Sequence, residues 1–329
     1  MRVGFAGAGF IAGVHAETLA RQADTPGRAP VGARVAAVFD PNAAHAEAFA
    51  RTFDAQVAPS FEALLGEVDA VYICAPNAYH AEFAIAALDA GKHVFCEKPM
   101  AVSLQEAQRV REAVERARGV YQIGFNKHFA PVYTALKERL DAGELTPRWA
   151  NLKMNRGELQ QPPWVADAAL TGGFLYETPI HLLDLGCWLF GPLREVVCRA
   201  AQTCGDQLDD FAMLLTFDSG VTATFCSSAH TTWLFPYERV EIYGDHATAV
   251  TEEMERITFQ LGLDAEPTTL DVTHLPTPER WGYAAADVAF LSAARGEREV
   301  VVGVEEAYRA IEAVDACYRA AKTGETVRL

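Results

Sequence analysis

The sequence predicts an α/β protein: an N-terminal doubly wound parallel sheet, followed by an α+β domain with a largely antiparallel, open sheet. A glycine-rich turn follows the first apolar run, and short apolar runs then alternate with helix-like stretches. This alternation stops after Gly124. Because 329 residues exceed what one core accommodates, we place a domain boundary there, with domains at 1–123 and 124–329.

The first domain is predicted to contain five strands and five helices. Consecutive apolar residues in its later strands are typical of strands covered by helices on both faces. The predicted strands are Arg2–Ala6, Ala33–Phe39, Ala70–Cys74, His93–Cys96 and Val120–Ile123. The predicted helices are Ile11–Arg21, Ala43–Phe53, Ser60–Leu65, His80–Ala90 and Ser103–Arg118. The segment Asp24–Gly32, rich in proline and glycine, is predicted to be a surface loop.

The second domain shows amphipathic helices and alternating strands. Helices are predicted at Ala130–Asp141, Ile180–Phe190 and Glu305–Thr323. Strands are predicted at Ala150–Met154, Glu195–Gln202, Phe211–Phe217, Val221–Ser228 and Arg239–Tyr243. Asp218-Ser219-Gly220 is a good turn between two of these strands and predicts a hairpin.

Composition excludes several classes of function. The formal net charge of −16 argues against binding to nucleic acids or anionic membranes, which are both polyanions. No apolar run approaches the roughly 20 residues that span a bilayer. The seven cysteines include no C-x-x-C pair, and we interpret them as reduced core residues, not disulfides or a metal site. With the first strand at Arg2 there is no room for a signal peptide, so we expect a cytoplasmic protein.

The turn after the first strand matches the dinucleotide-binding pattern G-x-G-x-x-G/A, from Gly7 to Ala12. Gly7 permits the tight turn, Gly9 lets the backbone approach a pyrophosphate, and Ala12 allows close helix packing. Asp40 directly follows the second strand and is either a turn residue or an acceptor for the adenosine ribose hydroxyls. A carboxylate there repels a 2′-phosphate, so the sequence predicts NAD in preference to NADP on a Rossmann domain.

Polar residues follow the later strands, at the edge where ligands of such sheets lie. Asn77 either contacts the cofactor or caps the next helix, and His80 is either a packed histidine or part of the cofactor site. Glu97-Lys98-Pro99 follows another strand, and proline restricts the residue before it. Lys98 would polarise a substrate hydroxyl and stabilise a developing alkoxide, and Glu97 would bind the nicotinamide ribose. The alternative is a surface Glu-Lys pair.

His181 is the predicted partner of Lys98 in catalysis. We expect Thr178 to be the N-cap and Pro179 the first residue of a helix, so that His181 lies in its first turn. The positive end of the helix disfavours imidazolium, which leaves a neutral ring able to accept a proton. Glu177 precedes the helix and would orient His181, whereas Asp184 is interpreted as structural. The alternative for His181 is a satisfied core histidine.

These residues resemble the Gfo/Idh/MocA family of oxidoreductases over essentially the whole chain. The resemblance rests on the glycine turn, Ala75-Pro76-Asn77 with His80, the segment 90–99, the segment 124–129, the Gly-Gly…His181…Asp184 block and Gly303–Ala307. It implies that Lys98 and His181 are the catalytic pair. It also implies that the second domain covers the substrate and forms homodimers or homotetramers. The cofactor-contacting residues that we predict are Gly7, Gly9, Phe10, Ile11, Asp40, Asn77, His80, Glu97, Lys98 and Asn126.

Two departures from the family pattern argue against assigning myo-inositol specifically. Inositol dehydrogenases and many relatives carry an aspartate four residues before the histidine, where this chain has Glu177. Many carry Arg-Arg after the asparagine at 126, where this chain has Lys127-His128, and lysine lacks the bidentate guanidinium fork.

The sequence therefore predicts an NAD-dependent dehydrogenase acting on a secondary hydroxyl of a sugar, sugar acid or cyclitol, without a metal. Candidate substrate contacts are Lys127, Asn155, Arg156 and Trp164, although Trp164 is equally interpreted as a packed tryptophan. Trp164 follows Pro162-Pro163 on a loop predicted to cover the cleft. The alternatives are a non-catalytic NAD-binding regulator of the same fold, an enzyme that recycles bound NAD between two sugars, and a reductase of nucleotide-linked sugars.

Overall fold

The computed structural model describes residues 1–24, 32–156 and 163–329, which form two compact units. The first unit comprises residues 1–126 and 282–308, and the second comprises 127–281 and 309–329. The first unit therefore includes a late segment that the predicted division into 1–123 and 124–329 assigns to the second domain. Most of the predicted loop Asp24–Gly32, and Pro162 before Trp164, lie outside the described residues.

The N-terminal part of the first unit alternates strands with helices, as predicted. Its strands are β1 (Arg2–Ala6), β2 (Arg34–Phe39), β3 (Gln56–Val57), β4 (Ala70–Ile73), β5 (His93–Cys96) and β6 (Tyr121–Ile123). Its helices are α1 (Phe10–Asp24), α2 (Ala43–Phe53), α3 (Phe61–Glu67), α4 (His80–Asp89) and α5 (Leu104–Arg116). Ser60 and Ser103 accept backbone N–H bonds at the starts of α3 and α5, which is how these hydroxyls set the helix boundaries.

The six strands form one parallel sheet in the order β3-β2-β1-β4-β5-β6, so the predicted parallel sheet is confirmed. Its central strands are buried on both faces. The rings of Phe5, Tyr72 and Phe95 lie side by side across β1, β4 and β5, with centroids 5.1 Å and 4.7 Å apart. Burial of each such side chain contributes about 1.5–3 kcal/mol, which explains why consecutive apolar residues mark these strands.

The second unit begins with a short 3-10 turn, Asn126–Phe129, whose first residue still belongs to the first unit. Its helices are α6 (Pro131–Asp141), α7 (Ala168–Thr171), α8 (Phe174–Glu177), α9 (Ile180–Phe190) and α10 (Thr277–Arg280). Its strands are β7 (Pro147–Asn155), β8 (Leu193–Ala201), β9 (Asp210–Phe217), β10 (Thr222–Ser228), β11 (Glu238–Gly244), β12 (Ala247–Glu252), β13 (Arg256–Leu261) and β14 (Thr268–Asp271). The last three strands were not predicted.

The C-terminal elements are α11 (Tyr283–Ala294), α12 (Val304–Thr323) and β15 (Val327–Arg328). Helix α11 lies in the first unit, where it packs against α1. It was not predicted, because its sequence is apolar almost all round and shows no helical periodicity. Among the residues that the structure describes, no helix combines the length and apolar character needed to cross a membrane.

The sheet of the second unit has nine strands in the order β14-β13-β12-β11-β7-β10-β9-β8-β15. Only the pairing of β10 with β7 is parallel, so the largely antiparallel sheet is confirmed. The predicted hairpin joins β9 and β10, and Gly220 supplies the required φ of +87°. Residues alternate between a buried face and a polar, exposed face. The exposed face bears a pocket of about 270 Å³ lined by Asn151, Leu152, Lys153, Asn155, Thr224, Cys226, Arg239 and Glu241.

The seven cysteines are all free thiols. Cys204 and Cys226 are exposed, so the prediction that the cysteines are core residues is wrong for these two.

Candidate functional site

The glycine turn follows β1 where the strand order reverses, since β1 pairs with β2 on one side and β4 on the other. Gly7 has a φ of +101°, and a β-carbon there would lie 2.5 Å from the carbonyl oxygen of Cys74, so only glycine fits. A β-carbon at Gly9 would meet no atom within 4 Å. Open space therefore borders the backbone at the N-terminus of α1, and this arrangement fits the pyrophosphate of a dinucleotide.

Phe10 and Ala12 differ sharply in exposure. Ala12 is fully buried, as close packing of α1 on the sheet requires, whereas the Phe10 side chain is 88% exposed. Ile11 is half-buried. An exposed phenylalanine beside the open space is compatible with the cofactor contact predicted for Phe10, which stays a prediction, as does the contact of Ile11.

Asp40 connects the end of β2 to the glycine turn. Its Oδ2 accepts a hydrogen bond from the Ala8 N–H at 2.9 Å, and its Oδ1 accepts one from the Asn42 N–H at 2.8 Å. The carboxylate thus acts as a turn residue and also holds the turn that would contact a pyrophosphate. Each oxygen keeps a further lone pair, so these bonds leave the predicted ribose contact available.

Asn77 and His80 follow β4 at the same edge of the sheet. Asn77 is buried at the start of a 3-10 turn, and the N-cap residue of α4 is Tyr79 and not Asn77. The cofactor contact of Asn77 stays a prediction. The His80 ring nitrogens lie 2.6 Å from the Pro99 carbonyl oxygen and 2.7 Å from that of Ala75. Burial lowers the pKa of His80, although the two carbonyl groups oppose this effect. His80 therefore braces the segment that carries Lys98.

Lys98 directly follows the buried Glu97, at the carboxyl end of β5. Glu97 Oε2 accepts a hydrogen bond from the Lys98 N–H at 3.2 Å, and Glu97 Oε1 lies 3.1 Å from His15 Nε2. Lys98 itself is half-buried. Because Glu97 is only 6% exposed, the surface-pair alternative is wrong for this residue, and its predicted ribose contact stays a prediction.

Parallel strands bring these segments together. The residues that follow β1, β4, β5 and β6 emerge at one edge of the sheet, because all six strands run in the same direction. This edge carries Gly7, Asn77, Lys98 and the buried Asn126. The first unit thus gathers the glycine turn and the lysine at the place where a dinucleotide would lie.

In the second unit, His181 lies in the first turn of α9 and is half-buried. Helix α9 begins at Ile180 with Pro179 at the N-cap, so the predicted N-cap at Thr178 is wrong by one residue. The reason is that α8 ends at Glu177 and leads almost directly into α9, which leaves Thr178 with φ −110° and ψ −45° instead of an extended backbone. Glu177 is half-buried, four residues before His181. The catalytic roles of both residues stay predictions.

Asp184, one turn after His181 on α9, forms a buried pair with His128. Asp184 Oδ2 lies 2.8 Å from His128 Nε2, and the His128 ring packs 4.4 Å from that of Trp188. Both members of the pair are at most 4% exposed. This geometry agrees with the structural interpretation of Asp184.

Lys127 is buried in the second unit and forms an ion pair with Glu238. It is 3% exposed, and its ammonium lies 2.5 Å from Glu238 Oε2. Tyr133 donates its hydroxyl to the other oxygen of Glu238. Burial lowers the pKa of Lys127, whereas the charge of Glu238 opposes this effect. A substrate contact by Lys127, which stays a prediction, would require this ion pair to break.

Glu253 packs beside this pair and is expected to make stability depend on pH. Its Oε1 accepts hydrogen bonds from the Tyr237 and Glu238 N–H groups. Burial raises the pKa of Glu253 from 4.5 to about 7, and the charge of Glu238 acts in the same direction. A raised carboxyl pKa contributes stability below the unfolded value, and this contribution disappears as pH rises through the folded value.

We therefore expect the free energy of unfolding to fall by at most roughly 3 kcal/mol between about pH 4.5 and about pH 8 through this one group. Glu253→Gln keeps the acceptor but cannot ionise, so its melting temperature should change less over this interval than that of the wild type. Calorimetric melting of both proteins at several pH values measures the difference. If the melting temperatures of the two proteins changed with pH by the same amount, Glu253 would not be the group responsible.

Asn155, Arg156 and Trp164 lie near the break in the described chain. Asn155 ends β7, and the Arg156 guanidinium lies 4.9 Å from the Trp233 ring centroid and 4.8 Å from that of Tyr237. Trp164 is half-buried in a 3-10 turn, Pro163–Ala166, where a loop was predicted. The aromatic partners of Arg156 were not identified from the sequence, because they lie about eighty residues away with no local signal. The substrate roles of Asn155, Arg156 and Trp164 stay predictions.

One group of side chains has the composition of a metal site, within the residues that the structure describes. Asp209, Asp210 and His230 bring their ligand atoms within 4.8 Å of one another. Hydrogen bonds explain the grouping: Asp209 accepts three backbone N–H bonds from residues 203–205, and Asp210 pairs with His230 at 2.7 Å. We assign it no metal-binding role.

Comparison with known proteins agrees with this geometry. Residues 1–125 match a family model described as an oxidoreductase family with an NAD-binding Rossmann fold, and residues 137–329 match the model of its C-terminal alpha/beta domain. The chain is 32% identical over 272 residues to the inositol 2-dehydrogenase of Acidothermus cellulolyticus, which covers 79% of the chain and 75% of that relative.

Two further matches differ in coverage. Inositol 2-dehydrogenase 2 of Saccharopolyspora erythraea is 36% identical over 207 residues, which cover 62% of the chain and 57% of the relative. The chain thus matches just over half the length of that enzyme. A levoglucosan dehydrogenase solved with NADH and L-sorbose superimposes with a TM-score of 0.91, covering 100% of this chain and 98% of that one. At 20% identity this likeness concerns the fold alone.

Proposed function

Because the chain belongs to the Gfo/Idh/MocA oxidoreductase family, we propose that it is an NAD-dependent dehydrogenase for a secondary hydroxyl of a sugar, sugar acid or cyclitol. The observation that carries the proposal is the placement of Lys98. It is half-buried and bonded through its backbone to the buried Glu97, at the sheet edge that carries the glycine turn. Two relatives named as inositol 2-dehydrogenases support the substrate class.

The proposed mechanism assigns one task to each group. Bound NAD supplies the acceptor for the hydride. Lys98 donates a hydrogen bond to the substrate oxygen, and its positive charge stabilises the alkoxide that develops there. The imidazole of His181 accepts the hydroxyl proton, and Glu177 orients that imidazole. That Lys98 and His181 act on the same oxygen is part of the proposal.

The remaining predicted residues complete the two binding sites. In the first unit, the proposed cofactor contacts are Gly7, Gly9, Phe10, Ile11, Asp40, Asn77, His80, Glu97 and Asn126. In the second unit, the proposed substrate contacts are Asn155, Arg156, Trp164 and Lys127. Lys127 is the least favoured of these, because its ammonium is already paired with Glu238.

Asp40 is the proposed reason for a preference for NAD over NADP. Its carboxylate, at the end of β2, would repel a 2′-phosphate. Asp40→Asn removes the charge and keeps an oxygen that accepts the Ala8 N–H. We expect the ratio of the NADPH to the NADH dissociation constant to fall by roughly 10-fold, which corresponds to about 1.4 kcal/mol of removed repulsion.

Fluorescence titration of the reduced cofactors measures this ratio without a substrate. Asp54→Asn is the matched control, because Asp54 follows α2 at the opposite end of that helix from Asp40. An unchanged ratio in Asp40→Asn would show that the carboxylate serves the turn alone. Equal affinity of the wild type for both cofactors would contradict the NAD preference itself.

The proposed function is tested by measuring NADH formation against cyclitols, aldoses, ketoses, sugar acids and nucleotide-linked sugars. Turnover of a polyol or sugar that disappears in Lys98→Ala supports the proposal. Turnover confined to nucleotide-linked sugars favours the reductase alternative, and cofactor binding without turnover favours a regulator. The absorbance spectrum of the purified protein would reveal bound NADH, the mark of an enzyme that recycles its cofactor between two sugars.

A homodimer or homotetramer belongs to the same proposal. Helices α6 and α9 pack against the nine-stranded sheet. Its strands β7 and β11 also present a less buried face, and this face is the contact surface that we propose. Light scattering measures the mass in solution, and a monomer at micromolar concentration would contradict the assembly.

A further inference from the structure

Three ionisable side chains form a continuous buried chain through the first unit. His15 lies on α1, Asp287 on α11 and Glu97 directly after β5. His15 Nδ1 lies 2.7 Å from Asp287 Oδ1, and His15 Nε2 lies 3.1 Å from Glu97 Oε1. His15 and Asp287 are fully buried. The mechanism proposed above uses neither of these two.

The geometry around His15 favours its charged form. Both of its ring nitrogens face carboxylate oxygens, and a neutral imidazole can donate only one hydrogen bond. The imidazolium donates two, and so satisfies both acceptors. Burial alone would lower the pKa of His15, but the charges and hydrogen bonds of Asp287 and Glu97 outweigh it and raise that pKa to about 10.

Neighbouring residues restrict the position of the Glu97 side chain. A β-carbon on Gly124 would lie 2.6 Å from Glu97 Oε1, so the β6 side of the carboxylate is closely packed. On the other side, the His15 ring packs against Tyr72, Phe95 and Tyr283, with centroid distances of 4.9–5.7 Å. The second oxygen of Glu97 then accepts the Lys98 N–H. His15 is thereby linked to the backbone of Lys98 through one closely packed carboxylate.

Stability is a poor explanation for this arrangement. Replacing a buried group of charges by apolar residues of similar size is often neutral or stabilising, because desolvation offsets the attraction. The surrounding core is aromatic and would accommodate such residues. These three buried ionisable side chains are better explained if they hold a nearby functional group, such as Lys98, in place.

We propose that His15 is a positioning residue for Lys98. As an imidazolium anchored by Asp287, it holds the Glu97 carboxylate against the Lys98 N–H, so that the lysine side chain extends from a fixed backbone. This inference rests on the proposed function in one respect only, namely that Lys98 acts on the substrate.

The charge of His15 is measured directly by two-bond 1H–15N correlation spectra of the substrate-free protein. We expect the pattern of a doubly protonated ring at neutral pH, where an unperturbed histidine is mostly neutral. A single neutral tautomer at neutral pH would overturn the proposal.

The positioning is measured by hydrogen exchange at the Lys98 amide, which also needs no substrate. His15→Gln removes the charge and should accelerate this exchange by roughly 10-fold or more, since the amide loses a fixed acceptor. Phe290→Leu is the matched control: Phe290 lies on α11 like Asp287 and packs on Tyr72 and Phe95, but it carries no polar group. It should lower the melting temperature and leave the exchange close to that of wild type. Equal acceleration in both variants would overturn the positioning role.

Kinetics tests the consequence for the reaction. We expect kcat of His15→Gln to fall by roughly 10- to 100-fold with the NADH dissociation constant changed less than about threefold, as for a small misplacement of a catalytic group. Glu97→Gln should lower kcat similarly, and the double variant should have a kcat little lower than that of either single variant, because both residues act through one chain of hydrogen bonds. Only kcat is compared for Glu97→Gln, because Glu97 is also a proposed cofactor contact. A His15→Gln enzyme with unchanged kcat would overturn the inference. A wild type without turnover on any substrate would instead contradict the proposed function, and the exchange measurement would still decide the role of His15.

Discussion

Replacing Lys98 by alanine is expected to lower kcat by roughly 100- to 10,000-fold, with the dissociation constant of NADH changed only a few-fold. The ammonium is the group that would polarise the substrate oxygen. The Lys98 backbone is held independently of its side chain, by the Glu97 carboxylate and by the hydrogen bond between the His80 ring and the Pro99 carbonyl oxygen. Steady-state kinetics and NADH fluorescence titration separate the two effects.

Lys92→Ala is the matched control for this variant. Lys92 immediately precedes β5, at the strand end opposite to Lys98, and donates to the Val68 carbonyl oxygen at 3.0 Å. We expect kcat within about twofold of wild type, because Lys92 lies at the end of β5 opposite to the proposed site. A parallel loss of turnover and NADH affinity in Lys98→Ala would assign Lys98 a structural role instead. Unchanged turnover would remove it from the mechanism.

Replacing Glu238 by alanine is expected to lower the free energy of unfolding by roughly 3–5 kcal/mol. The change leaves the Lys127 ammonium buried without its partner carboxylate, and the Tyr133 hydroxyl loses its acceptor. Chemical denaturation of the two proteins measures the difference. The double variant Lys127→Met/Glu238→Leu should recover most of the loss, because it removes both charges together.

Glu241→Ala is the control on the same strand. Glu241 pairs with Arg239 in a more exposed position, and its removal should cost under about 1 kcal/mol. Equal losses for Glu238→Ala and Glu241→Ala would show that burial does not set the strength of the Lys127 pair.

Sequence reasoning was most accurate where the signal is local. Strands β1, β4 and β5 are runs of apolar residues bounded by glycine, proline or charged residues, and their predicted limits agree with the structure to within one residue. The turn at Gly220 was recognised because one residue needs a positive φ. Helix α11 was missed because it is apolar almost all round, and strands β12 and β14 were missed because they lack strict alternation of apolar and polar residues. Strand β13 does alternate from Arg256 to Leu261 and was overlooked.

In the candidate site, too, the residues that sequence reasoning identified are those with a local signal. Gly7, Lys98 and His181 were identified because each lies directly after a strand or at the start of a helix. Such positions can be recognised from the residues next to them in the sequence. The partner of His15 is 272 residues distant, and that of Lys127 is 111 residues distant. No pattern of residue types indicates such pairs, so Lys127 was predicted to contact the substrate and its ion pair with Glu238 was not foreseen.

The sequence by itself determined the two-part α/β architecture, the glycine turn and the placement of Lys98 at a strand end, because backbone conformation and hydrophobic period are properties of short segments. Only the tertiary structure decided that segment 282–308 joins the first unit, that Glu97 is buried, and that His15 lies between two carboxylates. The physical reason is that burial and charge depend on which distant side chains meet. A titratable group acquires its protonation state and its role from those neighbours.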